Sequence, residues 1–176
     1  MRRSLRGDLP PRVRDAQADD IEPLAQLWFD GWHDAHARLL PPELVQDRSA
    51  ERLRERLEQM LARVRVAGGR GTPLGFHVVD GDELNQLYVA AKARGMGVAA
   101  ALVADAEALM AGAGVKAAWL ACAIGNERAA RFYEKCGWRR IGTMMSYVTT
   151  AAGRVPLEVW RYEKPLVAPP SSVATG

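Results

Sequence analysis

The chain has few of the residues and segments that would place it in several large classes of protein. Its 176 residues include only two cysteines, Cys122 and Cys136, which cannot form a disulfide framework and lack the spacing of a zinc site. No apolar run approaches the roughly 18 residues of a membrane span. The basic first residues are not followed by the apolar segment of a secretory signal. We therefore expect a cytoplasmic protein with free thiols and no membrane partner.

Lysine is also scarce, so arginine carries most of the positive charge. The chain has 4 lysines against 20 arginines and a net charge of +3. The arginines are interleaved with acids, as in the segment 51–56, instead of clustering as they do on a nucleic-acid-binding surface. We therefore expect no nucleic-acid partner, whereas a mild excess of positive charge suits an anionic small-molecule cofactor.

The remaining composition is that of one globular domain. Hydrophobic residues make up 48% and charged residues 26%, which is enough apolar material for a core. We predict a flexible basic tail at 1–10, a single domain at 11–165 and a flexible tail rich in proline and serine at 166–176.

Hydrophobic periodicity predicts alternating strands and helices along this domain. The first helix is predicted to begin after the cap at 19–20 and to end near Pro41 and Pro42. Further helices are predicted at 49–61, 96–110 and 126–136. Strands are predicted at 12–14, 64–66, 74–79, 83–89, 115–123, 139–148 and 156–164. The strand–helix–strand segment over 83–123 implies a parallel pair joined by a right-handed crossover. The fold class predicted is α/β (α+β), with a mixed six- to seven-stranded sheet and about four helices on its two faces.

The segment 87–99 is the most informative part of the chain. A strand leads into a short loop with two glycines, Gly95 and Gly97, and the loop opens a helix. Glycine allows close approach of a ligand, and a helix N-terminus presents unpaired N–H groups that bind phosphate. The loop has neither the Gly-Lys-Ser/Thr of a Walker A motif nor the spacing of a dinucleotide fingerprint. A helix start without a ligand remains the alternative interpretation.

Two further patterns make the interpretation specific. The segment 94–99 (RGMGVA) resembles the Arg/Gln-x-x-Gly-x-Gly/Ala signature of the GNAT superfamily, the acyl-CoA-dependent N-acyltransferases. The segment 126–138 (NERAARFYEKCGW) resembles the Asn-x-x-Ala-x-x-Phe-Tyr-x-x-x-Gly-Phe/Trp motif of the same superfamily, one strand and one helix later. The segment 83–89 is similar to the strand that precedes the phosphate loop. The resemblance covers about residues 11–165.

The resemblance implies acetyl-CoA as the cosubstrate, no metal, and a single GNAT-like domain with splayed central parallel strands. The pantetheine arm would pair with the backbone of one strand, in the manner of an added β-strand. A free N–H near Tyr88 or Val89 would contact the thioester oxygen. The cofactor-binding residues implied are Leu87, Tyr88, Val89, Arg94, Gly95, Met96, Gly97, Val98, Ala99, Asn126, Ala129 and Phe132.

Tyr133 and Glu83 are the catalytic residues expected. Tyr133 matches the tyrosine that faces the CoA sulfur, where its phenol would hydrogen bond to the leaving thiolate. The alternative is that Tyr133 and Phe132 are both core aromatic residues of an amphipathic helix. Glu83 begins the strand that borders the acceptor side, and its carboxylate is a candidate general base. His77 and ordered water are the alternatives.

The acceptor site is expected in the segment 28–36, with Trp28, Trp32 and His33 as substrate-binding residues. Aromatic walls with acidic groups suit a cationic amine. The alternative is that both tryptophans are core residues at helical spacing. His33 and His36 have the i, i+3 spacing of metal ligands, but no third ligand is suggested and no metal is expected.

The function expected is acetyl transfer from acetyl-CoA to a primary amine by direct attack in a ternary complex. The alternative is a non-catalytic acyl-CoA-binding sensor or interaction module on the same fold. The sequence leaves open whether the acceptor is a small molecule or a peptide. It also leaves open whether the protein is a monomer or a homodimer.

Overall fold

The computed structural model describes residues 11–167, which form a mixed seven-stranded sheet flanked by five α-helices. The strands are β1 (Val13–Asp15), β2 (Val64–Gly69), β3 (Thr72–Asp80), β4 (Glu83–Val89), β5 (Ala117–Ala123), β6 (Arg139–Thr150) and β7 (Gly153–Pro165). The helices are α1 (Ile21–His36), α2 (Pro42–Gln46), α3 (Ala50–Met60), α4 (Val98–Gly112) and α5 (Glu127–Lys135). The predicted fold class is confirmed. The predicted tail 1–10, and the tail 166–176 from residue 168 onward, lie outside the described residues.

The strand order is β1-β2-β3-β4-β5-β7-β6, and β4 and β5 form the parallel pair. The other neighbouring strands pair in antiparallel fashion. The short helix α2, with proline at its start, was not predicted. No described helix has the length and hydropathy needed to cross a membrane.

Helices cover both faces of the sheet because each carries one apolar stripe. On one face, α1 and α3 bury Leu24, Trp28 and Leu57 against β2 and β3. On the other face, α4 and α5 bury side chains such as Met110 and Ala130 against β5. The nearly continuous apolar run at 115–123 is typical of a strand covered on both faces. In β5, however, buried and more accessible residues alternate over much of the length of the strand.

The strand β4 contains a β-bulge. Val78 of β3 pairs with Gln86 and the next residue, Val79, pairs with Leu84, so Asn85 is an extra residue in β4. A bulge reverses which face the following side chains occupy. Leu84 therefore packs in the α4 core, whereas Tyr88 packs against the α1 core.

The parallel pair opens soon after it forms. Its only register pair is Glu83 with Trp119, next to a hydrogen bond of 3.0 Å from the Trp119 N–H to the Asp82 carbonyl. Beyond this point β5 continues to pair with β7, and β4 with β3. One edge of β4 is thereby left without a strand partner, which confirms the predicted splay.

The β6–β7 hairpin reaches beyond the rest of the sheet. At its tip, the Ala151 N–H donates to Asp47 Oδ1 at 2.9 Å, in the loop between α2 and α3. This contact ties the tip of the hairpin to the segment that joins α2 and α3.

Candidate active site

A cleft of about 500 Å³ lies between β4 and β5 where the two strands separate. Its walls come from β4, residues 93–100, residues 121–123, the start of α5 and the end of α1. The volume falls within the range of small-molecule sites. The predicted residues that line it are Leu87, Tyr88, Val89, Arg94, Gly95, Gly97, Val98, Ala99, Asn126, Ala129, Phe132 and Tyr133.

The loop into α4 forms one end of the cleft. Gly95 and Gly97 both have a φ of +77°, a left-handed conformation that side-chain-bearing residues rarely adopt. Gly97 is the N-cap of α4 and provides no side chain to cap the first turn. The N–H groups at that turn have no intrahelical acceptor, and the helix dipole adds partial positive charge. The geometry is that of an anion site built from backbone.

The glycine loop is open on its outer side. A Cβ added at Gly95 or Gly97 would meet no atom within 4 Å. Met96, between them, is 59% exposed and does not line the cleft, unlike its predicted neighbours. The next residue along, Val98, is buried and anchors the helix start in the core.

An ion-pair bridge links this loop to α1 and α5. Asp34 Oδ2 accepts hydrogen bonds from Arg94 and from Arg128, each at 2.7 Å. The two guanidinium groups, Arg128 first, hold the pKa of Asp34 below its ordinary value. Arg128 lies inside the second motif but was not singled out from the sequence, because the motif leaves its position unspecified. Two cations therefore flank the phosphate end of the cleft.

The start of α5 supplies the opposite wall. Asn126 Oδ1 caps the helix by accepting from the Ala129 N–H at 3.3 Å. The side-chain amide of Asn126 has two N–H donors of its own, and the residue lines the cleft. Asn126 is therefore a helix cap that also lines the cleft, and its contact with a cofactor stays a prediction.

Tyr133 lies deeper in the same wall. Its ring is within 6.5 Å, centroid to centroid, of the rings of Phe132, Trp138 and Tyr162. Burial, with smaller contributions from Cys122 and Tyr88, raises the pKa of Tyr133 above that of a free phenol. The phenol is therefore a neutral hydrogen-bond donor at physiological pH.

Cys122 faces the cleft from β5 and was not predicted to do so. Its side chain is buried, and burial raises the pKa of the thiol to about 12. Nucleophilic attack requires the thiolate, and at this pKa about one cysteine in 100,000 would be ionised at pH 7. Cys122 is a poor nucleophile in this environment.

Glu83 lies at the point where the parallel pair closes and does not itself line the cleft. Its Oε2 accepts from Asn85 Nδ2 at 3.2 Å, and Asn85 does line the cleft. Burial raises the pKa of Glu83. The other predicted base, His77, is fully buried on β3 and contacts Asp105 of α4 at 2.7 Å through Nε2, within the packed core.

The acceptor residues predicted in α1 do not line the cleft. Trp28 and Trp32 are 1% and 7% exposed and belong to the α1 core. The ring of His33 lies against Phe29, and its Nδ1 contacts the Phe29 carbonyl at 2.8 Å. A direct role for these three residues in binding an acceptor stays a prediction. The cleft is lined instead by their neighbours Gly31, Ala35 and His36.

His36 makes the contact to the cleft that His33 was expected to make. Its Nδ1 lies 2.9 Å from the Trp32 carbonyl, and burial lowers its pKa. Gly31, also in the lining, lets α1 approach β4, because a Cβ there would lie 2.9 Å from the Tyr88 ring. The sequence of α1 does not show which of its two tryptophans and two histidines are buried in the core and which one reaches the cleft.

The acidic groups predicted for this pocket are already engaged. Asp34 is held by Arg94 and Arg128, and Asp30 Oδ1 accepts from Gln26 at 2.8 Å on the exposed face of α1. Among residues 11–167, no group of three or more histidine, cysteine, aspartate or glutamate side chains is placed to hold a metal.

The chain matches a family model and many solved structures. Residues 21–138 match the acetyltransferase (GNAT) family. A GCN5-related N-acetyltransferase from Rhodopseudomonas palustris aligns with a TM-score of 0.69 at 21% identity, over 90% of this chain and 97% of that one. Among curated proteins, none matches significantly.

Two of the similar structures contain a cofactor. The PaiA N-acetyltransferase from Thermoplasma acidophilum, in complex with coenzyme A, has a TM-score of 0.62 at 19% identity, over 89% of this chain and 99% of that one. A phosphinothricin acetyltransferase from Sinorhizobium meliloti, in complex with acetyl-CoA, has a TM-score of 0.64 at 16% identity, over 95% and 97%. At these identities the likeness concerns the fold.

The splayed parallel pair beside a glycine-built helix start fits an acyl-CoA-dependent acyltransferase. The family match spans well over half of the chain. The protein belongs to the GNAT acetyltransferase family, and its general activity is acetyl transfer from acetyl-CoA.

Proposed function

We propose that the protein transfers the acetyl group of acetyl-CoA to a primary amine by direct attack, with both substrates bound in the cleft. The observation that carries this proposal is the meeting, in one cleft, of an unpaired β4 edge, an uncapped helix start and the Tyr133 phenol.

The residues present fit acetyl-CoA. The helix start at 97–100 offers N–H donors to a pyrophosphate, with Arg94 and Arg128 as flanking cations. The unpaired edge of β4 offers backbone groups to the amides of a pantetheine arm. A free N–H near Tyr88 or Val89 is the proposed donor to the thioester oxygen. When bound, acetyl-CoA supplies the polarised carbonyl and the thiolate leaving group.

Tyr133 is proposed to stabilise the departing sulfur. A thiol has an ordinary pKa of about 8.5, and burial raises the pKa of the phenol above its own value of about 10. Complete proton transfer from the phenol to the thiolate is therefore uphill. The phenol acts as a hydrogen-bond donor whose contribution grows as charge develops on sulfur.

Glu83 is proposed to accept the proton of the amine through ordered water, since Glu83 itself lies behind the lining, where Asn85 Nδ2 donates a hydrogen bond to its carboxylate. Its raised pKa brings the carboxylate closer to the operating pH, where a base is more effective. His77 does not serve, because its ring is enclosed between β3 and α4.

The high pKa of the Cys122 thiol supports direct attack over an acetyl-cysteine intermediate. Replacement of Cys122 by alanine, which keeps the site apolar, is expected to leave kcat within about threefold of the parent, a difference of less than 1 kcal/mol.

The proposal is tested by calorimetric titration with CoA and by thiol release from acetyl-CoA with a panel of primary amines. The panel contains amino acids, a polyamine, an aminoglycoside and short peptides, and the acetylated products are identified by mass. We expect CoA binding and thiol release that requires both an amine and acetyl-CoA. Thiol release without amine, with acetate left on Cys122, would contradict direct attack. CoA binding without turnover on any amine would favour the sensor.

A further inference from the structure

Two arginines behind the acceptor end of the cleft have unusual surroundings. Arg48 follows α2, and Arg56 lies on α3; both are half-buried. The Arg48 guanidinium carbon lies 5.6 Å from the centre of the Trp32 ring, and that of Arg56 lies 4.8 Å from the Trp28 ring. The indoles in the α1 core thus act as platforms that fix the two cations.

Neither arginine is paired with a carboxylate among residues 11–167. Their neighbours on the same segment are paired: Arg52 with Asp47 at 2.9 Å, and Arg54 with Glu58 at 2.6 Å. Asp47, the acid next to Arg48 in the chain, is occupied by Arg52 and by the Ala151 N–H. The pair is therefore a local excess of positive charge.

The same place has an unpaired hydrogen-bond donor. Arg48 Nε is buried and has no acceptor within the described part of the chain, whereas the Trp28 indole is within hydrogen-bonding reach of the Tyr88 phenol. A buried donor without an acceptor costs about 1–3 kcal/mol, so such groups are usually partnered. An anionic acceptor bound here would satisfy the Arg48 donor.

The charges cost stability in the absence of an anion. Burial lowers the pKa of Arg56 to about 10, with repulsion by Arg48 as the next cause. Burial lowers the pKa of Arg48 as well. A lowered arginine pKa means that the surroundings disfavour the cation, and a bound anion would reverse this.

The pair faces the cleft through two residues that line it. Tyr88 lines the cleft, and its ring centre lies 6.2 Å from that of Trp28, the indole over which Arg56 is placed. His36 also lines the cleft, and its ring centre lies 5.2 Å from that of Trp32, the indole over which Arg48 is placed. The positive charge of the α1–α3 layer is therefore one aromatic ring away from residues of the cleft.

We infer that Arg48 and Arg56 bind the carboxylate of the acceptor, and that the acceptor is a small amino-acid-like amine. This inference rests on the proposed function and narrows its substrate class. A carboxylate satisfies the unpaired donor and both charges, and Arg binds it through two parallel N–H groups. The amine of the same molecule would then extend past Tyr88 toward Tyr133 and the thioester.

The test compares L-amino acids with the corresponding amino-acid amides, which keep the amine and lose the negative charge. Thiol release from acetyl-CoA is measured for the parent, for Arg48→Met, for Arg56→Met and for the control Arg54→Met. Methionine keeps an apolar stem over the indole and removes the cation. Arg54 lies on the same helix and is paired on the surface.

We expect the parent to prefer the best amino acid over its amide by at least tenfold in kcat/KM, about 1.4 kcal/mol. Arg48→Met and Arg56→Met should reduce that preference to within twofold, with rates for the amide and affinity for CoA unchanged. Arg54→Met should keep the preference. The inference is overturned if the parent shows no preference, or if both methionine variants at the pair keep it.

A second measurement needs no turnover. With CoA present, an amino acid should raise the melting temperature of the parent more than its amide does, and Arg56→Met should lose the difference. If all panel members give equal shifts, the anion site is absent. Failure of CoA to bind in calorimetry would instead refute the proposed function. The melting temperature of Arg56→Met should equal or exceed that of the parent, because a poorly solvated charge is removed. A lower melting temperature would indicate that Arg56 has a structural role.

Discussion

Two regions of the molecule present different atoms to a ligand. The cofactor half of the cleft is formed by β4, residues 94–100 and α5, whereas the proposed acceptor half is the end of α1 with the α3 layer packed against it. The cofactor half offers mainly backbone: an unpaired strand edge and an uncapped helix start. The acceptor half is built from side chains, with arginines fixed over buried indoles. On the proposals above, the first half binds the cofactor and the second selects the acceptor.

The two halves also differ in how far apart their parts lie in sequence. The glycine loop and its helix are contiguous, and Asn126 caps its own helix. The acceptor half brings α1, the α2–α3 loop and the β6–β7 hairpin together, and Ala151 contacts Asp47 across 104 positions. The first half can therefore be predicted from contiguous segments of the sequence, whereas the second half becomes visible only in the folded chain. Changes in each half should have separable effects.

The largest effect is expected from Trp32→Ala, because this tryptophan is 7% exposed in the α1 core. Removal of a buried aromatic should lower the free energy of unfolding by ~3–5 kcal/mol. The folded fraction should still bind CoA with the affinity of the parent. Chemical denaturation and calorimetry measure the two quantities. If the variant is as stable as the parent but has a raised KM for the acceptor, Trp32 binds the acceptor and is not a core residue.

Tyr133→Phe should have the next largest effect, this time on the chemical step. Since the phenol acts on the developing thiolate, kcat should fall by about 10- to 1000-fold while the affinity for CoA is kept. Steady-state kinetics and calorimetry on the same preparation separate the two. A kcat within about twofold of the parent, with chemistry rate-limiting, would make Tyr133 a packing residue.

Gly97→Val should weaken CoA binding by at least tenfold, about 1.4 kcal/mol. The cause is the backbone: valine resists a φ of +77°, and the N–H groups at the helix start lose their alignment. Gly81→Val is the matched control, because Gly81 also has a positive φ, +62°, and open space for a Cβ, but lies in a hairpin away from the cleft. Equal CoA affinity in both variants would remove the glycine loop from the site.

Glu83→Gln should have the smallest effect, roughly 2- to 10-fold in kcat/KM, because the carboxylate acts through water and not directly. Attack requires a neutral amine and, on this proposal, an ionised Glu83, whose pKa is raised by burial. As pH falls, kcat/KM of the parent should decline first because the amine becomes protonated, and then more steeply because Glu83 also becomes protonated. In Glu83→Gln, the pH profile should show only the first, shallower decline. Identical pH profiles would leave water as the base.

The sequence predicted the fold and the cofactor half because their signals are local. Glycines with positive φ, the cap at Asn126 and the strand–helix–strand order are each readable within a few residues. Two other features could not be predicted in this way. The bulge at Asn85 depends on how β4 pairs with β3, and the ion pair of Arg128 with Asp34 joins residues 94 positions apart.

In the proposed acceptor half, the sequence could not predict which side chains are buried or which charged groups are paired. Helical periodicity predicts which residues of α1 share a face, but a tryptophan in the core and one on a cleft have the same spacing. The acids at 30 and 34 suggested negative potential until the structure showed their partners. Nothing in the periodicity distinguishes Arg48 and Arg56 from the surface-paired Arg52 and Arg54.

The most direct test of the central claim is an amide-resolved NMR titration of the ¹⁵N-labelled protein with CoA. If the backbone of the splayed strand and the helix start binds the cofactor, the largest shifts should fall on the N–H groups of residues 87–89 and 94–100, with smaller shifts around 126–129. Residues 48–56 should change little until an amino acid is added. Shifts confined to other surfaces, or none at saturating CoA, would contradict the account.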